Sequence, residues 1–319
     1  MALHLLEPDQ TTLHGCFSRE LPPVLTIDSG DTIRLRTLDA GWGLEPHTGP
    51  PWARRKHERV PGRDRGHALC GPIAIRGAEP GMVLAVRIDR IQPGFWGWTF
   101  AGGVATKLSQ RLGLDSGDEY GLTWELDAHS MTGRNQNGEI VRLRPFMGVM
   151  GNAPAEPGIH STFPPRHTGG NLDCKELIAG TTLFLPIAVP GALFSIGDGH
   201  AAQGDGEVCG QAIECPMDVV EISLSLHEDL RLKLPRADSP SGWITFGFNE
   251  DLDVAMLIAL EEMLDLLCED QGWERKHALA MASLLADFRV TQIVNGQCGV
   301  HAIVPHDTLA SLRSEPRPR

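Results

Sequence analysis

At 319 residues, with 41% hydrophobic and 22% charged side chains, the chain has a globular composition and is long enough to bury a substantial core. A formal charge of -13 and a pI near 5.4 argue against nucleic acid as the main partner, because phosphate binding needs a basic face. The seven cysteines are odd in number and form no CxxC pair, which suggests neither a disulfide framework nor a zinc knuckle and fits a reducing, cytoplasmic home. No basic start and apolar core of a signal peptide opens the sequence, and no apolar run reaches the roughly 18 residues that a bilayer requires, so we expect a soluble protein with no membrane partner.

From Val24 to Thr37, apolar and polar residues alternate on both sides of an Asp-Ser-Gly-Asp turn, which predicts a strand, a turn and a strand. Asp39 to His67 follows as a long loop of glycines, prolines and charges, from which Asp39, His47 and His67 are able to approach a site; its ARRKHER run reads equally well as a solvated face. A Gly-centred turn opening an apolar strand recurs at Pro72–Ile88 and Lys175–Ile187. The loop Phe95 to Gly103 sets aromatic rings among glycines, either as walls of a narrow pocket or as plugs in a β core. Gly113 to Leu143 reads as short strands and loops, and Pro145 to Asn171 as a strand giving way to a proline-rich path.

Cys215 to about Pro235 reads as a strand pair that ends the β region. The period then changes: apolar residues three and four apart predict amphipathic helices over Leu252–Leu267 and Glu274–Phe288, followed by strand, turn and strand. The expected fold is mainly β, sandwich- or barrel-like with short strands and tight turns, with two C-terminal amphipathic helices packed on it. We expect a single domain over 1–319, with a β body at about 1–235 and a helical and closing β segment at about 236–310.

The chemistry is concentrated between Gly169 and Cys215, where Asp173, Asp198, His200, Gln203, Asp205, Glu207 and Glu214 sit in an apolar, glycine-punctuated segment. Residues two apart in a strand share a face, so Asp198 and His200 project together, and Asp205 and Glu207 are placed to do likewise. Alternating Asp and Gly are also the ordinary vocabulary of turns. On spacing alone, a solvated acidic loop and a metal or acid/base site stand level.

These residues lie in blocks that resemble the acetamidase/formamidase family, which hydrolyses short amides to carboxylate and ammonia. The blocks are GGNLD at Gly169–Asp173, the stretch from Gly180 to Val208, and AIE at Ala212–Glu214, with further matches at Cys70–Ile88, Pro145–Gly158 and Asp287–Gly296. They run in the same order along nearly the whole chain. Cys70 stands where the family usually has Thr, and Cys174 is not part of its pattern. The resemblance implies a small-molecule amide substrate and a homodimer or higher homo-oligomer, and it makes Asp39 a candidate ligand or supporting group.

Amide hydrolysis needs an activated water, a stabilised oxyanion and a proton for the leaving amine, and a divalent metal ion supplies the first two. Asp173, Asp198 and His200, with Glu214 as a further ligand, form a His/carboxylate set suited to a zinc-like catalytic ion, with calcium a possible second ion. Glu207 is assigned as general base, Gln203 as donor to the substrate carbonyl or oxyanion, and Asp205, Asn171 and Asp39 as substrate-binding residues. Two alternatives stand beside this reading. One is a Cys174-dependent amidase, with Cys174, Lys175 and Glu176 consecutive; the other is a calcium-stabilised β scaffold without catalysis, which has no use for His200.

Overall fold

The computed structural model describes residues 1–312. Three sheets carry the fold. A nine-stranded sheet runs in the spatial order Leu3–Leu6, Thr32–Thr37, Met217–His227, Val83–Pro93, Thr182–Pro186, Arg236–Ser239, Gly242–Asn249, Cys298–Val304 and Asp287–Gln292. A six-stranded sheet places Gly169–Asn171, Phe146–Gly151, Phe194–His200, Leu69–Ile75 and Leu13–His14 side by side, with Leu25–Ile27 added in parallel along Leu69–Ile75. Four antiparallel strands, Ile140–Arg142, Thr132–Asn135, Tyr120–Asp127 and Trp96–Ala101, make the third.

The main core lies between the first two sheets and includes Ile33, Leu35, Leu84, Val86, Leu185, Ile222 and Leu224 from one side and Cys70, Ile73, Met147, Met150, Phe194 and Ile196 from the other. Strand Phe194–His200 is buried along its whole length, flanked within its sheet by Phe146–Gly151 and Leu69–Ile75. That is why its polar residues need internal partners.

Both predicted helices are present, as Leu252–Gln271 and Arg275–Leu285. Asp251 caps the longer one, accepting from the amides of Asp253 and Val254, and Gly272 ends it in the left-handed conformation. Ala255, Ala259 and Met263 on this helix pack with Val300, Ala302 and Val304 of the nine-stranded sheet. None of the helices is long and apolar enough to cross a membrane, among the described residues.

The strand, turn and strand expected over Val24–Thr37 are present, but the chain turns a corner between sheets there: Leu25–Ile27 joins the six-stranded sheet while Thr32–Thr37 pairs with Leu3–Leu6 and Met217–His227. Asp31 holds that corner, accepting from the Ala2 amide at 2.6 Å and the Asp28 amide at 3.2 Å. The β region also runs past Pro235. Met217–His227 is one strand, the chain turns through 228–235, and two further strands, Arg236–Ser239 and Gly242–Asn249, pair before the helices begin. The WITFGF run of the second strand carries the β-branched and aromatic residues that favour it.

Candidate active site

Three pieces of chain build the site. Strand Phe194–His200, held between Phe146–Gly151 and Leu69–Ile75, delivers Asp198 and His200. The turn after Gly169–Asn171 delivers Asp173, whose amide donates to the Gly148 carbonyl at 3.2 Å. The returning segment delivers Glu214, whose backbone bridges both His200 and Trp98 and so ties the six-stranded sheet to the four-stranded one.

Gly148 forms the floor. A Cβ at that position would stand 2.6 Å from Asp198 Oδ2, 2.8 Å from Asp173 Oδ1 and 2.9 Å from His200 Cε1, so only glycine leaves room for the three side chains. The backbone is bent to make the cluster: Asp173, Asp198, Glu207 and Asn295 all have positive φ, of 47°, 62°, 45° and 64°. Such conformations cost about 1–3 kcal/mol each in non-glycine residues and persist where the surroundings force them, as they do at functional sites.

The expected pairing of Asp198 with His200 is present. His200 Nε2 lies 3.1 Å from Asp198 Oδ1 and 3.4 Å from Glu214 Oε1, while Nδ1 lies 2.9 Å from Gln203 Oε1 and 3.9 Å from Asp173 Oδ1. Both ring nitrogens face acceptors, which is the environment of an imidazolium. Burial works against that charge, but Glu214 and Asp198 outweigh it and hold His200 well above the ordinary histidine range. Asp198 feels the reverse balance: burial pushes it up, and the charges of His200 and His67 bring it below the usual carboxylate range. The other three acids are held toward their protonated forms. Burial, followed by the Glu207 charge, raises Asp173; burial pushes Glu207 up to about 7 and Glu214 up to about 8.

Three buried oxygens here, Asp173 Oδ1, Glu207 Oε2 and Glu214 Oε2, have no hydrogen-bond partner among the described residues. Orphaned buried carboxylate oxygens are costly, and a cation is one thing that satisfies them. Two ligand groupings are close enough to share an ion: Asp173, Asp198 and His200, and His200, Glu207 and Glu214, each with ligand atoms within 4.8 Å of one another. Mixed imidazole and carboxylate donors suit a zinc-like ion better than an oxygen-only calcium cage. The residues present therefore fit a divalent cation, and a cation there competes with the proton on His200, since only neutral imidazole is a ligand.

A cavity of about 260 Å³ opens onto Asp198, Glu207 and Glu214, with Trp98, His67, Asn171 and Asn295 among its walls. The remaining residues singled out from sequence divide around it. Asn171 lines it, with its Nδ2 donating to the Phe163 carbonyl and its Oδ1 unpartnered. Gln203 has both ends occupied, by His200 Nδ1 and by the Asp173 carbonyl at 2.7 Å, so it orients the imidazole instead of facing the cavity. Asp39 is fully buried behind the wall, where it accepts from Trp98 Nε1 and pairs with Arg54. Asp205 does not join Glu207. It points outward to Lys175 Nζ at 2.8 Å, because the segment between Gly204 and Gly206 turns instead of continuing as a strand.

Cys174 is fully buried and burial pushes its thiol up to about 12, while Lys175 is engaged by Asp205, so the residues of the cysteine alternative carry no thiolate and no assisting lysine. The residues that reasoning from sequence did not assign are Asn295 and Gly148. Asn295 Nδ2 donates to Asp173 Oδ2 at 3.2 Å and to Gln292 Oε1 at 2.8 Å, fixing the acid from the far end of the chain. Both lie in blocks carrying the family resemblance, Asp287–Gly296 and Pro145–Gly158, which was the available signal.

The aromatic stretch expected to be a loop is the strand Trp96–Ala101, paired along Tyr120–Asp127. Trp98 lines the cavity, whereas Trp96 and Phe100 pack with it and Trp52 as a separate cluster, so both readings of those rings hold for different residues.

Comparison with known proteins identifies the family. The sequence matches the acetamidase/formamidase family over residues 4–161 and again over 155–309. It is 29% identical over 308 residues to a putative formamidase of Schizosaccharomyces pombe, covering 76% of this chain and 74% of the relative. It is also 29% identical over 262 residues to an acetamidase of Mycolicibacterium smegmatis, covering 63% of each. The crystal structure of a predicted acetamidase/formamidase from Thermoanaerobacter tengcongensis is similar with a TM-score of 0.85 at 25% identity, covering 98% of both chains. On the extent of the family match, this chain belongs to the acetamidase/formamidase family.

Proposed function

We propose that this chain hydrolyses the C–N bond of short linear amides to a carboxylate and ammonia, with Glu207 carrying the proton and Asp173, Asp198, His200 and Glu214 holding a divalent cation. The amidohydrolase activity rests on membership of the family. The mechanism rests on one observation: a buried imidazole and four buried carboxyl groups converge beside a cavity, with three of their oxygens unpartnered among the described residues.

A divalent ion held there supplies Lewis acidity, lowering the pKa of a water toward neutrality and polarising the amide carbonyl. The chain's own residues do the rest. Glu207, buried beside the cluster and lining the cavity, is placed to accept a proton from the attacking water and return it to the departing nitrogen. The new C–O bond forms as water loses that proton, and the C–N bond breaks as nitrogen gains it. Gln203 and the Asp198 carboxylate hold the His200 ring from opposite sides, and Asn295 holds Asp173. Trp98 and Phe163 line the cavity.

The test is ammonia release from acetamide by wild type and Glu207→Gln. Removing the proton carrier should lower kcat by about 10²–10⁴-fold with the fold intact. Retention of activity within tenfold would remove Glu207 from the chemistry.

A further inference from the structure

The cavity is larger than the smallest amides need, and one side of its wall is basic. At about 260 Å³ it holds about eight groups of water size at ~30 Å³ each, against four non-hydrogen atoms in acetamide. Its walls include Arg59 and Arg65, on the side supplied by the loop before Leu69–Ile75, together with the acids supplied by the strand and the returning segment.

The other arginines of that loop are already paired. Arg54 is bound by Asp39, Arg55 by Glu45 and Arg63 by Asp64. Arg59 and Arg65 have no carboxylate partner among the described residues, in a chain whose formal charge is -13 and which has acids to spare. Arg59 is nevertheless positioned: its guanidinium lies 5.2 Å from the centre of the Trp42 ring, and Trp42 is itself buried, with Nε1 donating to the Gly66 carbonyl at 2.8 Å. Arg65 lines a second cavity of about 690 Å³ as well, and Gly66 and Phe163 are shared between the two.

We propose that the favoured substrate is a primary amide carrying a carboxylate at its far end, with Arg59 and Arg65 binding that carboxylate. Electrostatics fix the direction of entry. A negatively charged group is attracted to the two guanidiniums, and with that end held by the arginines the amide end is the one left facing Glu207 and the cluster. The monoamide of a four-carbon diacid, succinamate, has eight non-hydrogen atoms and matches the room available.

This inference rests on the amidase reading, and the experiment separates the two. Ammonia release is measured for acetamide, succinamate and the neutral pentanamide with wild type, Arg65→Gln, Arg65→Lys and Arg59→Gln. Two guanidiniums meeting one carboxylate should make wild type favour succinamate over pentanamide severalfold, to about tenfold, in kcat/KM. That ratio should collapse toward one in Arg65→Gln, be partly restored in Arg65→Lys, and fall in Arg59→Gln. Added salt should also reduce it in wild type, as for any exposed ion pair. A wild-type ratio of one or less, or a ratio that neither glutamine variant moves, overturns the proposal while acetamide turnover leaves the amidase reading standing. Absence of ammonia from all three amides overturns both.

Discussion

Gly148 sits where three reactive side chains converge, and its missing Cβ is what lets them meet. An added methyl at 2.6–2.9 Å from Asp198, Asp173 and His200 has to displace at least one of them. Gly148→Ala should therefore lose activity on acetamide by tenfold or more while its far-ultraviolet circular dichroism matches wild type; unchanged kcat/KM would show that the three groups need not converge. His14 offers a test of acid stability away from the site. It is buried, with Nδ1 at 2.7 Å from the Cys16 carbonyl and Nε2 at 3.0 Å from Ser195 Oγ, and burial lowers its pKa to about 4. The unfolded value is about 6.5, so below that pH the unfolded chain takes up the proton first. The stabilisation from keeping His14 neutral is complete above pH about 6.5 and is lost as pH falls toward 4, by up to about 3 kcal/mol. Urea unfolding at pH 7.5 and 4.5 should show wild type losing more stability on acidification than His14→Gln, and equal losses would contradict the assignment.

At the scale of elements, period and propensity carried much of the fold. The 3.6-residue pattern of Leu252–Leu267 and the run Arg289–Val304 gave helix and strands where the structure has them. Pairing was less accessible, because the two halves of the Val24–Thr37 stretch have hairpin chemistry locally and are claimed by different sheets through contacts distant in sequence. The same holds for the site. Asp198 and His200 were legible as a pair because two-residue spacing in a strand is a local rule. Asp205 and Glu207 have the same spacing and part company at a turn, and the Asn295 contact with Asp173 spans 122 residues. The packing of the long helix on the sheet can be tested at Gly247. A Cβ there would collide with the Ala255 carbonyl and stand 2.5 Å from the Ala259 nitrogen, both helix backbone, which cannot rotate away. Gly247→Ala should cost about 3 kcal/mol in urea unfolding, the upper range of overpacking; a loss below ~0.5 kcal/mol would mean that the helix rides on the sheet more loosely than described.

For the molecule as a whole, the acidic balance is unevenly spent. Carboxyl groups are gathered in the interior around one imidazole, and Arg59 and Arg65, with no carboxylate partner among the described residues, line the same cavity. Net charge announced neither feature, since it sums over the surface and says nothing of where like charges are forced together. Crowding four buried carboxyl groups around a single histidine is costly unless positive charge is added, and this is the physical reason to expect a cation as part of the working enzyme. The most direct measurement is ammonia release from acetamide by the purified protein, before chelation, after chelation with elemental analysis confirming a metal-free sample, and after adding back zinc. Activity should disappear with the ion and return with it; full turnover by the metal-free protein would contradict the role of the cluster as a cation site.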